Sequence, residues 1–477
     1  MSKPTSLLAM NLPDPILLGI FRCHFDGPAF VPPRQSDDRE SLMLVSHRWR
    51  NLIQFTPEFW TWVNFLPVIS QIPGRLENLA RTWLQRSLGV LVYIEFETDM
   101  DLNTTTLPPH YVVYGAGRFC VVDTVILPCA PRIVSLKFHG WEFAIFNVFR
   151  NLPCLQAVKL CILNAMPVHP GSFRLPWRQL THLYLGTTAI SPDAFLHIID
   201  MTSLSLLDAI FRIKFTKSTR SILPHGRALS GFTPIVANLL KGLQLILIDA
   251  SPECRIFKAL ILPALVSFQV KNQNMKTGWD LGLYMPLIET TFQLEYLSFL
   301  PFSFPLAPTN ADSEHLLKRP HRIIPSAEME SLFAAIPTVK TLVLGQGLHL
   351  NLPTLTKIAQ GELLPSLENL RIGSMVGVRN DLATYRALQP QGSGGKLMLT
   401  LSSISVVHLL VPEEDEEIIE KEAMLLREST TSCVNVKFIV DVSDFVQSSM
   451  ERTRLGLVYF AAPVTSWDLG LYTLFID

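Results

Sequence analysis

Leu152-Pro153-Cys154-Leu155-Gln156-Ala157-Val158-Lys159-Leu160 and Trp177-Arg178-Gln179-Leu180-Thr181-His182-Leu183-Tyr184-Leu185 share one texture. It returns in Ile336-Pro337-Thr338-Val339-Lys340-Thr341-Leu342-Val343-Leu344 and in Leu364-Pro365-Ser366-Leu367-Glu368-Asn369-Leu370-Arg371-Ile372. Each has an apolar-x-apolar pair preceded, three positions earlier, by another apolar residue. Alternation places both members of the pair on one face of a short strand, and the earlier residue packs under the turn before it. The residue between the pair points to the opposite, concave surface, where a binding face is expected. Strand starts of this kind fall at Leu136, Val158, Leu183, Leu207, Leu245, Phe268, Leu297, Leu342 and Leu370, with spacings of 22, 25, 24, 38, 23, 29, 45 and 28. Short strands at near-regular spacing predict stacked strand-turn-helix units, each closing the next one's apolar face. The two longest gaps hold insertions, a polar stretch at 214–231 and a stretch at 301–325 with five prolines.

Composition agrees. Of 477 residues, 48% are hydrophobic and 17% charged, so the chain folds rather than remaining disordered. Forty Lys and Arg against 41 Asp and Glu leave a formal charge of −1, which gives no field to attract nucleic acid or an acidic membrane. Thirty-four prolines outnumber 24 glycines, as expected of many short elements. The seven cysteines (Cys23, Cys120, Cys129, Cys154, Cys161, Cys254, Cys433) form no C-x-x-C pair and read as buried thiols in a reducing compartment. No secretory leader is evident at the start, and apolar runs such as 259–270 are too short to cross a bilayer, so an intracellular protein, cytoplasmic or nuclear, is expected.

The first sixty-odd residues differ from the rest. Asn11-Leu12-Pro13-Asp14-Pro15 opens a helix whose Ile16, Leu17, Ile20 and Phe21 build one apolar face. A polar stretch at 26–40 reads as a loop. Leu42 to Ile53 reads as one helix, with Leu42, Val45, Trp49 and Leu52 at helical spacing, and Thr56-Pro57-Glu58-Phe59-Trp60 as a short third element. So thin a core cannot enclose that many large apolar groups, so part of the face is expected to meet something else.

This pattern resembles the F-box family: Leu12-Pro13 with Ile16, Leu17, Ile20 and Phe21, then Val45-Ser46 with Arg48-Trp49 and Leu52, then Pro57 with Trp60. The resemblance implies docking onto a Skp-type adaptor of a cullin-based ubiquitin ligase through Leu12, Pro13, Ile16, Leu17, Ile20, Phe21, Val45, Ser46, Trp49, Leu52 and Trp60. Phe21, Trp49, Trp60 and Ile16 are the expected anchors. Pro15 stands where the family commonly has Glu, and the loop between the helices is long. The repeats in turn resemble the degenerate leucine-rich repeats that follow an F-box in fungal proteins. The expected architecture is α/β: an F-box-like helical unit at 8–65, a leucine-rich-repeat-like solenoid at 75–405, and a mixed cap at 406–477. The cap includes an acidic helix start, Glu413-Glu414-Asp415-Glu416-Glu417, and a strand with Val434, Val436, Phe438 and Val440 alternating.

No catalytic, cofactor or metal signature appears. There is no H-E-x-x-H, G-x-S-x-G or G-x-x-x-x-G-K-[ST], and Gly345-Gln346-Gly347 and Gln391-Gly392-Ser393-Gly394-Gly395 read as turns or loops. Cys154 and Cys161 near His169, and His315 and His321 near Asp312 and Glu314, lack ligand or triad spacing. Asp208, Asp249 and Glu295 fall near the expected binding face. The expectation is therefore a non-catalytic adaptor that joins a Skp-type adaptor and cullin complex to a protein target held on the repeats. The alternative is a repeat scaffold whose N-terminal helices only cap the solenoid.

Overall fold

The computed structural model describes residues 12–25, 27–31, 33–34, 37–65, 73–96, 112–114, 117–119, 127–140, 151–162, 175–215, 234–250, 256–273, 279–301, 326–344, 348, 354, 357–358, 361–374, 403–408 and 435–440. The chain is α/β, built on long parallel sheet with a few helices, and divides into two compact units between Thr188 and Ala189.

In the first unit, helices α1 (Asp14–His24), α2 (Arg39–Met43) and α3 (His47–Gln54) and a 3-10 turn (Pro57–Trp60) accompany six parallel strands and α4 (Pro73–Arg86). The strands are β1 (Ala29–Val31), β2 (Trp62–Phe65), β3 (Val92–Phe96), β4 (Ile133–Gly140), β5 (Ala157–Ile162) and β6 (His182–Ile190), side by side in chain order. Their register sets Ala29, Val63, Ile94, Leu136, Val158 and Leu183 opposite one another in one buried row. In the second unit, α5 (Pro192–Thr202) precedes β7 (Asp208–Lys214), β8 (Gly242–Ile248), β9 (Ser267–Gln273), β10 (Tyr296–Pro301), β11 (Thr341–Leu344), β12 (Asn369–Ser374), β13 (Ser403–His408) and β14 (Asn435–Val440), with α6 (Ser326–Ala334) between β10 and β11. Here Ala209, Leu243, Phe268, Leu297, Leu342 and Leu370 make the buried row, and the register continues to Ile404 and Val436.

The residue three before each row position is buried almost without exception: Trp60, Ile133, Leu155, Leu180, Leu206, Leu240, Leu265, Leu294, Val339 and Leu367. So is the residue two after it in β7 to β11: Phe211, Leu245, Val270, Phe299 and Leu344. Three apolar side chains per strand therefore leave water together, each contributing about 1.5 to 3 kcal/mol for a full-sized aliphatic or aromatic group. This is the pattern read from the quoted segments, with two shifts of register. Ala209 rather than Leu207, and Leu243 rather than Leu245, hold the row positions. Leu207 falls in the turn before β7, where its carbonyl accepts from Lys241 N–H at 2.7 Å, and Leu245 is the second buried residue of its strand.

Other expectations change. The 26–40 stretch is not all loop: the alternation of Ala29, Phe30 and Val31 forms β1, and α2 begins within it. Residues 42–53 are not one helix, because the chain turns at Leu44 and Val45 and Ser46 restarts it as the N-cap of α3. Strands β1, β2 and β13 were not foreseen. The residue between the apolar pair varies in exposure: Asn64, Glu95, Gln244, Gln269, Ser298 and Val343 are buried, whereas Lys137, Lys159 and Tyr184 are half-buried. Glu95 tolerates burial because Lys137 Nζ lies 3.0 Å from its Oε2 and Asn64 Nδ2 donates to the same oxygen at 3.3 Å. Strand β14 matches the alternation read at 434–440. The insertions at 214–231 and 301–325 fall almost wholly outside the described residues. The acidic run, the glycine-rich loop, His169, His315, His321 and the last thirty residues lie outside them entirely.

The sheet edge at β1 is closed by side chains. Phe30 N–H donates to Asp37 Oδ2 at 3.2 Å, while Asp37 Oδ1 accepts from Arg39 N at 3.1 Å and Arg39 Nη1 at 3.0 Å. Buried Arg39 also donates to the carbonyls of Gly27 (2.6 Å), Pro28 (3.2 Å) and Phe59 (3.2 Å), with its guanidinium 4.8 Å from the Phe25 ring centroid. The long connection between the first helices is thus a strap fastened at both ends.

The thiols differ from expectation too: Cys129 is buried, but Cys23 is exposed on α1. Burial pushes the Cys129 thiol up, against the opposing charge and hydrogen bond of Arg132. Under native conditions a maleimide should therefore label Cys23 quickly and Cys129 only after denaturation, as read by mass spectrometry of labelled peptides. Leu297→Ala, a row position, should lower unfolding free energy by about 3 kcal/mol in urea titration. Leu207→Ala should cost clearly less.

Candidate docking face of the N-terminal helices

Helix α1 begins at Asp14 after Pro13 as N-cap, with Pro15 in its first turn, where a missing N–H leaves no bond unmade. Leu17 and Phe21 point inward and are buried, whereas Ile16 and Ile20 are 50% and 49% exposed. Phe21 meets Trp49 edge-on at 5.2 Å and Phe59 at 6.5 Å between ring centroids, and Phe25 meets Phe59 at 5.1 Å. Helix α3 is started by Ser46, whose Oγ accepts from Trp49 N–H at 3.1 Å. Arg48 then holds the two helices together, donating from Nε to Asp14 Oδ1 at 2.8 Å and from Nη2 to the Leu12 carbonyl.

Trp60 occupies the position three before the row residue Val63, the slot filled elsewhere by leucines, and it is fully buried for the same reason. Its Nε1 donates to the Ile53 carbonyl at 2.9 Å, its ring meets Trp83 of α4 at 5.2 Å, and Arg86 lies over it at 4.4 Å. That burial pulls the Arg86 pKa down, with the charge of Glu40 opposing.

The eleven residues expected to contact an adaptor therefore separate. Pro13, Ile16, Ile20 and Val45 are exposed, Leu12, Ser46, Trp49 and Leu52 are half-buried, and Leu17, Phe21 and Trp60 are taken up by the unit's own packing. Two of the expected anchors, Phe21 and Trp60, are thus buried in the unit's own core. Two further apolar groups stand out from these helices, Leu44 at 76% exposure and Phe55 at 65%. Leu44 escaped the sequence reading because it sits in the turn created by Ser46, inside what had looked like continuous helix. The Val-Ser pair was the available signal, since Ser is a common N-cap.

Elsewhere, Glu295 pairs with Lys340 at 2.8 Å on the surface, Asp208 is half-buried at the start of β7, and Asp249 follows β8 at φ 55°. These three acids do not converge. Among the described residues no group of His, Cys, Asp and Glu could hold a metal ion, and no helix is long and apolar enough to cross a membrane. What the N-terminal helices offer is an apolar contact surface. No protein-family model matches the chain, and no curated protein matches it.

Trp60→Ala should destabilise the protein by about 3 to 5 kcal/mol, as a core truncation. Ile16→Ser should change stability by less than about 0.5 kcal/mol. Thermal and urea unfolding of the two variants check the division between core and surface.

Proposed function

We propose that the chain is a non-catalytic substrate-recognition subunit of a cullin-based ubiquitin ligase, docking to a Skp-type adaptor through the first three helices. The supporting observation is the apolar surface those helices leave uncovered, Ile16, Ile20, Leu44 and Val45, beside side chains that the same helices bury well. Exposed apolar groups gathered on one small unit are costly unless a partner removes them from water. Leu17, Phe21 and Trp49 stiffen the face from behind, and Arg48 fixes the angle between α1 and α3. In this reading the strands that follow carry the target-binding part of the molecule. The contribution to ubiquitin transfer is proximity: holding a target near a charged conjugating enzyme raises the effective concentration of its lysines, and the chemistry belongs to other subunits.

A second reading has its own observation. Strands β1 and β2, from the same segment as the helices, pair with one another and with β3, so these helices also finish a sheet edge. A repeat scaffold capped in this way needs no adaptor.

Co-expression with a Skp-type adaptor separates the two. The full chain should co-purify with the adaptor, and Ile16→Asp with Ile20→Asp should abolish the complex while leaving the thermal midpoint unchanged. A well-folded wild-type chain that never binds the adaptor overturns the ligase reading in favour of the scaffold, as does a double variant that binds normally.

A further inference from the structure

Helix α1 is tied down unequally along its length. Its later half has several fastenings: Phe21 meets Trp49 and Phe59, Phe25 meets Phe59, Arg22 Nε lies 2.6 Å from Glu58 Oε1, and His24 Nε2 lies 3.0 Å from Asp38 Oδ2. Its start has Leu17 buried beneath it, and among the described residues the side-chain hydrogen bonds that reach residues 12–17 from elsewhere come from Arg48. Arg48 Nε and Nη2 both donate to Asp14 Oδ1, at 2.8 and 2.5 Å, and Nη2 donates to the Leu12 carbonyl as well. One guanidinium thus grips both neighbours of Pro13, whose own carbonyl accepts from Ile16 N–H at 3.0 Å and Leu17 N–H at 3.1 Å. The grip falls on the turn that carries Ile16.

The exposed apolar groups are divided in the same way. Ile16 and Ile20 belong to α1, whereas Leu44 and Val45 belong to the turn before α3, so their geometry depends on how two separate stretches of chain are held. We infer that Arg48 is a positioning residue for the docking face: through Asp14 and Leu12 it sets where Ile16 stands relative to Leu44 and Val45, whereas Ile20 is placed by the aromatic contacts of its neighbour Phe21. This rests on the docking reading above and makes the two isoleucines unequal within it. The side chains of Arg48 and Asp14 are 39% and 54% exposed, and an ion pair so open to water adds little to global stability. Its contribution is preorganisation, because a partner that meets a first turn already in place need not order it on binding.

Two readouts on the full chain test it: amide hydrogen exchange of the free protein, followed by mass spectrometry, and affinity for a purified Skp-type adaptor. In Arg48→Met, exchange at Ile16 and Leu17 should quicken roughly fivefold while Phe25 keeps its wild-type rate. Adaptor affinity should fall roughly tenfold in Arg48→Met, and adding Asp14→Ala should take it no lower. Ile16→Ala should cost roughly tenfold in the wild-type background and clearly less beside Arg48→Met, whereas Ile20→Ala should cost the same in both. Unchanged exchange at Ile16 and Leu17 overturns the assignment whether or not the adaptor binds. Equal Ile16→Ala losses in the two backgrounds, or additive losses from Arg48→Met and Asp14→Ala, overturn it in favour of a direct contact between Arg48 and the partner. A chain that shows the exchange difference but never binds the adaptor refutes the docking reading, not the hold of Arg48 on the first turn.

Discussion

Parallel register is the constraint from which the rest follows. Within each unit the strands of the long sheet pair with the next so that one buried apolar residue faces another, from Ala29 to Leu183 and from Ala209 to Leu370. A slip of one residue in any strand would turn its whole buried set to the opposite face. Connections must then cross from the end of one strand to the start of the next, which parallel pairing demands and the proline-marked turns supply. The buried residue three before the row is the hinge of each crossing, and it couples turn geometry to core packing.

The same constraint explains the division of labour near the N-terminus. Trp60 sits three residues before a row position, so it serves the sheet. It also accepts the helices, through its bond to Ile53, and α4, through Trp83. One side chain therefore connects the surface that faces outward to the strands that follow. The helices bury Phe21 and leave mostly aliphatic groups, with Phe55, exposed to solvent, an arrangement suited to recognition by apolar contact.

Much of the fold was legible because apolar-x-apolar pairs with an apolar residue three earlier are a local signal. Leu155 with Val158 and Leu160, or Val339 with Leu342 and Leu344, can be read without knowing what they touch. Register was less legible: Leu207 and Leu245 are as apolar as the residues that hold the row, and only the neighbouring strand decides between them. Strand β1 is three residues long and lies among charges, so nothing local distinguishes it from loop. The exposed Ile16 and Ile20 share helical periodicity with buried Leu17 and Phe21. Periodicity marks an apolar stripe, and which part of it is covered depends on where Trp49 and Phe59 arrive from elsewhere in the chain. The burial of Gln244, Gln269 and Ser298 was likewise hidden, since by type they look like surface residues.

The end of the sheet at β1 carries a consequence of its own. A row of parallel strands from one chain has an open side that another chain can extend, and here a carboxylate occupies the next strand's place at Phe30 N–H. Asp37 accepts but cannot pass the ladder on, having no amide of its own in line. Arg39 holds it there, so the stopper and its latch are two residues apart in sequence. At this edge, templated growth is blocked at Phe30 by one side chain.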